Sequence, residues 1–481
     1  MNDRSISGLL PPSPSAIEQL IAIVGHEHAL TDPHDQAPFL REWRGRYVGR
    51  TPLVLRPGST AEVSAIMEIA NRKRFAIVTQ GGNTGLVGGQ IPAETGYEII
   101  LTTNRLHRIR DVNADAGHMT AEAGVTLAEV QARAAAVDRL FPLSLASEGT
   151  CTIGGNLATN AGGVAVLAYG SARQLVLGLE VVLADGRVWD GLRALKKDNT
   201  GYDLKQLFVG SEGTLGIITA AVLKLFPAPA TKSTALVALP RLDAALQFFR
   251  AAERAAGHNL TAFEFISRES LNVVLHHVEG ARAPFDTLSQ PWYVLIEISS
   301  TAQIGEPDDL MQTVLGEALE NGLITDAVLA RSISQSEALW KLRETLSEAQ
   351  RFEGGSIKHD ISVPVGRIPE FVARAAPIVE SICPGCRPIV FGHFGDGNIH
   401  YNISQPLEMD KAAYLKLWEP MNEAVHTLVT ELGGSISAEH GIGRMKREAL
   451  THFRSQVELD LMRQLKQTFD PQGILNPGKL I

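Results

Sequence analysis

The sequence is short of three things that would each point to a particular class of protein. It has only three cysteines (Cys151, Cys383 and Cys386) in 481 residues, too few for a disulfide framework, which indicates a reducing, cytoplasmic setting. It has no run of 18 apolar residues, so no transmembrane helix is expected, and the stretch from Met1 to Ser5 lacks a signal peptide's apolar centre. It has no excess of positive charge, because 44 Lys and Arg against 53 Asp and Glu give −9. We therefore expect no nucleic-acid partner.

The composition, with 44% apolar and 20% charged residues, is typical of a globular protein. A chain of 481 residues is too long for one ordinary core, so two or more domains are expected. The stretch Pro227-Ala-Pro-Ala230 follows a strand pattern and predicts a boundary. We predict a first domain at 1–227 with its core at about 48–227, a second domain at 228–437, and a C-terminal segment at 438–481.

The spacing of Cys383 and Cys386 is that of a redox or metal-binding pair. There is no second pair, and no strand-to-helix context surrounds the two thiols. A turn that happens to contain two cysteines is therefore the favoured interpretation.

Three glycine-rich loops, at 80–89, 147–163 and 208–218, each follow or precede an apolar strand pattern in the first domain. Glycine allows another group to approach the backbone closely, and successive N–H groups in such a loop can bind phosphate. The glycine spacing of 80–89 differs from the Rossmann fingerprint, and no P-loop lysine is present. One such loop alone would be read as a flexible turn, but three together favour an extended ligand such as a dinucleotide with a pyrophosphate.

The second domain contains two histidines that flank a Gly-Asp-Gly-Asn turn, His393 and His400. The alternating residues on both sides predict a β-hairpin, on which both imidazoles and Asn402 can share one face. Two imidazoles and a carboxylate form a common ligand set for a divalent metal, and Glu439 could supply the carboxylate. His440 would then be a base beside the metal. The alternative is that these are ordinary structural histidines.

Helices and strands alternate in the rest of the second domain, which predicts an α+β domain with an antiparallel sheet. A predicted helix at 336–351 places Arg343 and Ser347 four residues apart on one face. A predicted strand at 357–364 contains Lys358.

Several motifs, from about residue 50 to the end of the chain, resemble those of one family. The three glycine-rich loops and Asp470-Pro-Gln-Gly-Ile-Leu-Asn-Pro-Gly-Lys479 are similar to those of the FAD-binding oxidoreductases of the vanillyl-alcohol-oxidase type. The histidine hairpin and Ala438-Glu-His-Gly-Ile-Gly443 resemble the D-2-hydroxyacid dehydrogenase branch. Within that branch, Gln80-Gly-Gly-Asn-Thr-Gly85 and Lys196-Lys-Asp-Asn-Thr-Gly-Tyr-Asp-Leu204 resemble the D-2-hydroxyglutarate dehydrogenases, whereas D-lactate dehydrogenases usually differ in both places.

This resemblance implies an α+β fold with a two-subdomain FAD-binding domain and an α+β substrate (cap) domain. The C-terminal helical segment would return to the flavin. The first loop has no histidine to tether the cofactor, so FAD is expected to bind without a covalent link. The residues implied to contact FAD are Gln80, Gly81, Gly82, Asn83, Thr84, Gly85, Leu86, Ser147, Gly149, Gly154, Asn156, Thr159, Asn160, Gly162, Gly213, Ile218 and Asn476.

The resemblance also implies roles in the second domain and C-terminal segment. The metal ligands would be His393, His400 and Glu439, and the metal would be zinc, manganese or cobalt. The substrate-binding residues would be Arg343, Ser347, Lys358, Asn402 and His440. The family often has threonine where this chain has Ser347, and the hydroxyl is kept.

These residue types suit the oxidation of a 2-hydroxy acid. A metal would polarise the hydroxyl, His440 would accept its proton, and the hydride on C2 would pass to flavin N5. Arg343 and Lys358 would bind a second carboxylate, so a dicarboxylate explains them better than lactate does. The expected reaction is the oxidation of D-2-hydroxyglutarate to 2-oxoglutarate.

Several alternatives stay open at this point. The same chemistry could act on D-lactate, D-malate or another D-2-hydroxy acid. A reductase that takes hydride from NADPH would share only the FAD domain, and a non-enzymatic flavin-binding protein has no positive feature in the sequence. The electron acceptor is expected to be an electron-transfer flavoprotein or a quinone, and a homodimer is expected by resemblance alone.

Overall fold

The structure is a computed structural model that describes residues 8–302 and 306–481. The expectation about Met1 to Ser5 lies outside the described residues. The chain divides into two units. The first contains the chain up to Gly163, Gly170–Ala228 and Glu439–Ile481, and the second contains Val164–Tyr169 and Pro229–Ala438. The short stretch Val164–Tyr169, which the sequence assigned to the first domain, thus belongs to the second unit.

The strands are mostly antiparallel and lie in sheets within each unit. They are β1 (Ala29–Leu30), β2 (Val54–Leu55), β3 (Ile77–Gln80), β4 (Ile99–Thr102), β5 (Ile109–Asn113), β6 (His118–Glu122), β7 (Arg139–Leu140), β8 (Val176–Val182), β9 (Val188–Gly191), β10 (Ile217–Lys224), β11 (Phe226–Pro227), β12 (Thr231–Leu239), β13 (Leu260–Ser267), β14 (Trp292–Ser300), β15 (Asp326–Leu329), β16 (Ser356–Ser362), β17 (Arg387–His393) and β18 (Asn398–Ser404).

The helices range from single turns to fifteen residues. They are α1 (Pro14–Val24), α2 (Pro33–Gln36), α3 (Thr60–Lys73), α4 (Leu127–Ala135), α5 (Ile153–Ala158), α6 (Val166–Tyr169), α7 (Ala172–Leu175), α8 (Lys205–Phe208), α9 (Leu242–Ala256), α10 (Arg268–His277), α11 (Glu306–Glu320), α12 (Ile333–Glu344), α13 (Leu346–Ala349), α14 (Ile368–Ile382), α15 (Lys411–Leu415), α16 (Trp418–Glu431), α17 (Arg447–Phe453) and α18 (Gln456–Phe469). Within the described residues, no helix combines the length and apolar character needed to cross a membrane.

The first unit is built on two main sheets. A four-stranded sheet has the order β1-β2-β4-β3, and its last three strands are parallel. A five-stranded antiparallel sheet has the order β5-β6-β10-β8-β9. Helix α3 begins after Ser59, whose hydroxyl caps it by accepting a hydrogen bond from the Glu62 N–H at 3.2 Å. Its apolar side chains pack with those of β2, β3 and β4 in one core.

The second unit is built on a seven-stranded sheet with the order β15-β12-β14-β13-β17-β18-β16, in which every pairing is antiparallel. One face packs against α9, α11, α14 and α16, and the other packs against α10, α12 and α13. Because side chains alternate along each strand, the second face also receives His393 and His400. The predicted antiparallel α+β domain and the predicted hairpin are both confirmed.

The predicted helix at 336–351 is divided into α12 and α13 at Thr345. The Thr345 hydroxyl donates to the Lys341 carbonyl at 2.7 Å, a local bond that tends to bend a helix. The division places Arg343 in α12 and Ser347 in α13. Arg343 is buried, whereas Ser347 is exposed.

Cys383 and Cys386 belong to the apolar core of the second unit. Both are buried, and burial raises the pKa of the Cys386 thiol to about 11. A buried thiol with such a pKa is almost entirely protonated at neutral pH, and is therefore a poor nucleophile and metal ligand. The structure thus agrees with the interpretation of this pair as part of a turn.

Candidate active site

A cleft of about 880 Å³, including space open to solvent, lies in the first unit where the glycine-rich loops meet. Its lining comes from all three loops and from two residues of the C-terminal segment, His440 and Asn476. Of the predicted FAD contacts, the lining includes Gly81, Gly82, Asn83, Thr84, Gly85, Gly154, Asn156, Thr159, Gly213, Ile218 and Asn476, and it also includes the predicted base His440.

Close packing explains why the first two loops need glycine. A Cβ atom on Gly82 would lie 1.9 Å from the Thr150 carbonyl oxygen, and one on Gly81 would lie 2.4 Å from the Thr152 hydroxyl. A Cβ atom on Gly154 would lie 2.6 Å from that of Ala123. The first loop therefore packs directly against the second, and the missing side chains allow both to line the same cleft.

The cleft has polar atoms that need a ligand. Among the described residues, the hydroxyls of Thr79 and Thr152 and the Oδ1 atoms of Asn83 and Asn476 are buried without a hydrogen-bond partner. All four residues line the cleft. Because buried polar groups are normally satisfied, these atoms fit a bound group with many donors, such as FAD. Sequence reasoning did not single out Thr79 or Thr152, whose signal is their position beside glycine-rich loops.

The other predicted FAD contacts lie outside the lining of the cleft, and some have structural partners. The Gln80 amide donates to the carbonyls of Phe39 and Gln90, both at 3.0 Å. The Asn160 side chain accepts from the Arg173 N–H at 3.0 Å. These side chains bond to other parts of the protein and stabilise the conformation of the loops. The residues outside the lining are Gln80, Leu86, Ser147, Gly149, Asn160 and Gly162.

The closing motif attaches the C-terminus to the first unit. The Asn476 amide donates to the carbonyls of Gly89 at 3.0 Å and Glu212 at 2.8 Å. Lys479 and Glu98 form an ion pair at 3.4 Å in which both side chains are almost completely buried. These contacts hold Asn476 in the wall of the cleft.

The segment from Glu439 to Gly443 is held at both ends by carboxylates. Glu439 Oε1 accepts a hydrogen bond from the Gly163 N–H at 2.6 Å. At the other end, the two carboxylate oxygens of Glu212 accept from the N–H groups of Ile442 and Gly443, both at 2.7 Å. His440 lies between these two anchors and lines the cleft.

Glu212 is a residue that sequence reasoning missed, because it was read only as part of a glycine-rich loop. Gly441 and Gly443 both have positive φ, so their turn directs successive N–H groups at one carboxylate. Burial raises the pKa of Glu212 above its ordinary value, although the two N–H groups and the charge of Lys446 oppose this. Thus the N–H groups of Ile442 and Gly443 in the Glu-His-Gly-Ile-Gly motif bind Glu212.

In the second unit, the hairpin places His393 and His400 on one face of the sheet. Their ring centroids are 5.5 Å apart, and the rings are almost perpendicular. His393 Nδ1 is 2.8 Å from Glu264, and His400 Nδ1 is 3.8 Å from Asp360. Metal-binding histidines commonly have a carboxylate behind them in this way, so the pair fits a divalent metal by its donor chemistry.

Arg343 lies beside this histidine pair. Its Nε donates to Glu264 Oε2 at 2.8 Å, and its Nη2 is 3.5 Å from His393 Nε2. The guanidinium also lies 4.9 Å from the centroid of the Phe391 ring. Arg343 is therefore a buried, fixed cation next to a predicted metal ligand.

The remaining predicted substrate residues lie on or near the same face. Asn402 pairs with Lys358 in the register of β16 and β18, so their side chains are neighbours. The Asn402 amide donates to Gln350 at 2.9 Å, and Lys358 Nζ donates to the Ser347 carbonyl at 3.3 Å. Thus Ser347 contacts Lys358 through its backbone carbonyl, whereas Ser347 itself is exposed.

Comparison with known proteins identifies the family. Two protein-family models match the chain. The family 'FAD binding domain' matches residues 51–191, and the family 'FAD linked oxidases, C-terminal domain' matches residues 228–480. The chain is 39% identical over 461 residues to the probable mitochondrial D-2-hydroxyglutarate dehydrogenase of Oryza sativa subsp. japonica, covering 96% of this chain and 80% of that one. It is 37% identical over 451 residues to the D-2-hydroxyglutarate dehydrogenase of Xanthomonas citri pv. viticola, covering 94% and 93%.

Among solved structures, p-cresol methylhydroxylase with substrate bound superposes with a TM-score of 0.76. The two chains are 16% identical, and the match covers 97% of this chain and 96% of the other. This similarity confirms the predicted fold of the vanillyl-alcohol-oxidase type. The chain belongs to the FAD-linked oxidases, in the enzyme family of the FAD-dependent D-2-hydroxyglutarate dehydrogenases.

Proposed function

We propose that this enzyme oxidises D-2-hydroxyglutarate to 2-oxoglutarate with FAD and a divalent metal. The observation that carries the proposal is two cationic side chains at the sheet face that carries His393 and His400, Lys358 from β16 and Arg343 from α12, which packs on that face. A substrate with two carboxylates needs two such binding groups. The names of the relatives support the same substrate.

The protein's own residues would divide the work as follows. Arg343 is fixed by Glu264, so it would bind a carboxylate with little loss of side-chain entropy. Lys358 and Asn402 are neighbours in the sheet and would orient the substrate. His440 would accept the hydroxyl proton, because a neutral imidazole is a suitable base near pH 7.

His393, His400 and Glu439 would hold the metal, for which zinc is our first choice over manganese and cobalt. When bound, the metal would supply a Lewis acid for the hydroxyl and FAD would supply the hydride acceptor. FAD would lie in the cleft of the first unit, bound without a covalent link, with the unsatisfied atoms of Thr79, Thr152, Asn83 and Asn476 as partners.

A substrate panel under anaerobic conditions tests this function. D-2-Hydroxyglutarate should bleach the flavin absorbance quickly, whereas L-2-hydroxyglutarate should leave it unchanged. D-Lactate, which has no second carboxylate, should bleach it more slowly than the dicarboxylates D-2-hydroxyglutarate and D-malate. Equal rates with D-lactate would contradict the role of Arg343 and Lys358, and bleaching by none of these acids would contradict the function itself.

The electron acceptor that we propose is an electron-transfer flavoprotein or a quinone, used by a homodimeric enzyme in a reducing, cytoplasmic compartment. The three buried free cysteines support a reducing setting. Steady-state assays with each class of acceptor test the proposed electron acceptor, and sedimentation of the purified enzyme tests the proposed homodimer.

A further inference from the structure

Glu264 is an unusual residue for its position. It lies in the middle of β13, where every residue is buried, and it is the charged residue of that strand. Its side chain is only 2% exposed. Burying a carboxylate is costly unless charged or hydrogen-bonding partners compensate, so its partners indicate its purpose.

Each oxygen of Glu264 has a different partner. Oε1 is 2.8 Å from His393 Nδ1, and Oε2 accepts from Arg343 Nε at 2.8 Å. Glu264 and His393 are direct cross-strand partners in β13 and β17, which keeps the first contact short. Asp360 is less closely engaged with His400, at 3.8 Å, and its Oδ1 also accepts from the Asn398 amide at 2.9 Å.

The hydrogen-bonding chemistry of its two neighbours assigns the tautomer of His393. Arginine has only donors, so the His393 Nε2 that lies 3.5 Å from Arg343 Nη2 is the atom with the lone pair. The proton is then on Nδ1, where it points to the Glu264 carboxylate. This tautomer is the one in which Nε2 can bind a metal.

We propose that Glu264 is a positioning residue that fixes a metal ligand and a substrate-binding residue with one carboxylate. It holds His393 in the metal-binding tautomer through Oε1 and holds the Arg343 guanidinium through Oε2. This inference rests on the proposed function, because the roles of His393 and Arg343 come from it. Glu264 itself touches neither substrate nor cofactor in this scheme.

The variant Glu264→Gln tests the inference on the FAD-loaded enzyme. Its amide can offer an oxygen to only one of the two partners, so the other contact becomes donor against donor. We expect Zn²⁺ affinity, measured by competition with a chromophoric chelator, to fall by about 10–100-fold. We also expect KM for D-2-hydroxyglutarate to rise by more than kcat falls, because a carboxylate-binding residue contributes to binding in both ground and transition states.

Glu297→Gln is the matched control. Glu297 is also a buried glutamate of this sheet, and it accepts from Trp340 in the same helix as Arg343, at 2.8 Å. This variant should lose stability without losing Zn²⁺ affinity. If Glu264→Gln binds Zn²⁺ as tightly as wild type and keeps its KM, or if Glu297→Gln weakens Zn²⁺ binding equally, the inference is wrong.

Two further variants keep the outcomes separate. Glu264→Asp retains the carboxylate but is too short to reach both partners, so its Zn²⁺ affinity should lie between those of wild type and Glu264→Gln. A wild-type value for both affinity and KM in this variant overturns the inference even if Glu264→Gln fails to fold. If His393→Ala binds Zn²⁺ as wild type does, the metal part of the proposed function is wrong, and the His393 half of the inference falls with it.

Discussion

Glu212 in the first unit and Glu264 in the second are both buried glutamates, yet their environments shift their acidity in opposite directions. Glu212 is bound by backbone N–H groups, and burial raises its pKa. The pKa of Glu264 lies below its ordinary value, because its interactions with His393 and Arg343 outweigh the effect of burial. Burial alone therefore does not decide whether a glutamate is a stable anion. At Glu212 the two N–H groups and the charge of Lys446 do not outweigh the loss of water, whereas at Glu264 the partners His393 and Arg343 do.

The largest effect on this comparison is expected from Arg343→Met, which removes the cation that Glu264 faces. Breaking a buried ion pair from one side leaves an uncompensated charge and costs about 3–5 kcal/mol. We expect a loss of that size in the free energy of unfolding, measured with urea, together with a higher KM for D-2-hydroxyglutarate. A loss below about 1 kcal/mol would show that Arg343 does not compensate the charge of Glu264.

Glu212→Ala should have a smaller effect, because the hydrogen-bond donors that it leaves are two neutral backbone N–H groups. Unsatisfied buried N–H groups cost about 1–3 kcal/mol. The loss of this anchor should also slow flavin reduction, since the segment that carries His440 is held there. Urea unfolding and stopped-flow absorbance measure the two effects. Reduction at the wild-type rate would mean that Glu439 and its Gly163 contact hold His440 well enough alone.

The pH dependence of stability should separate the two kinds of glutamate within one unit. Glu122 is buried beside Arg108 and Arg110, at 2.9 and 3.1 Å, and its pKa is lowered because these contacts outweigh burial. Its contribution is present above the ordinary glutamate pKa of about 4.3 and is lost as the pH falls through the lower folded value. The pKa of Glu212 is raised, so its contribution to stability depends on pH in the opposite direction. Its contribution is complete below that ordinary pKa and is lost as the pH rises through the higher folded value.

The measurement for this prediction is the free energy of unfolding of wild type, Glu122→Gln and Glu212→Gln from pH 7 down to about pH 3. The deficit of Glu122→Gln relative to wild type should shrink towards the acid end. The free energy of unfolding of wild type should instead increase relative to that of Glu212→Gln as the pH falls. If the free energies of unfolding of the two variants changed with pH in parallel, the pKa values of Glu122 and Glu212 would not be shifted in opposite directions.

The smallest effect is expected from Glu431→Gln, which breaks an ion pair with Arg374 at the surface. Both side chains are about half exposed, at 53% and 45%, so water already compensates them. The free energy of unfolding should change by at most about 1 kcal/mol. A loss comparable to that of Arg343→Met would mean that burial is not what makes the Glu264 pair important.

Much of the fold could be predicted because local signals were strong. The Gly-Asp-Gly-Asn turn predicts the hairpin of β17 and β18, and the alternation of helices and strands predicts the antiparallel α+β domain. The break at Thr345 was missed because threonine is compatible with a helix interior, and only its bond to the Lys341 carbonyl marks the division. The membership of Val164–Tyr169 in the second unit depends on packing, where Leu167 contacts that unit's core, and no local pattern indicates it.

The chemistry-bearing residues of the site could be proposed from the sequence, but the residues that position them could not. His393, His400 and His440 stand in conspicuous motifs. Glu264 and Glu212 act through partners that are distant in sequence, 129 and about 230 residues away. One signal was available in retrospect, since a single charged residue in the apolar strand Leu260–Ser267 requires a partner.

We propose that the enzyme oxidises D-2-hydroxyglutarate with FAD and a bound divalent metal. The most direct measurement is anaerobic bleaching of the flavin by D-2-hydroxyglutarate before chelation, after chelation, and after Zn²⁺ is added back. We expect fast bleaching, then little or none, then recovery. Bleaching that is equally fast after the metal has been removed would contradict the role assigned to His393, His400 and Glu439, and with it the account of how Glu264 acts.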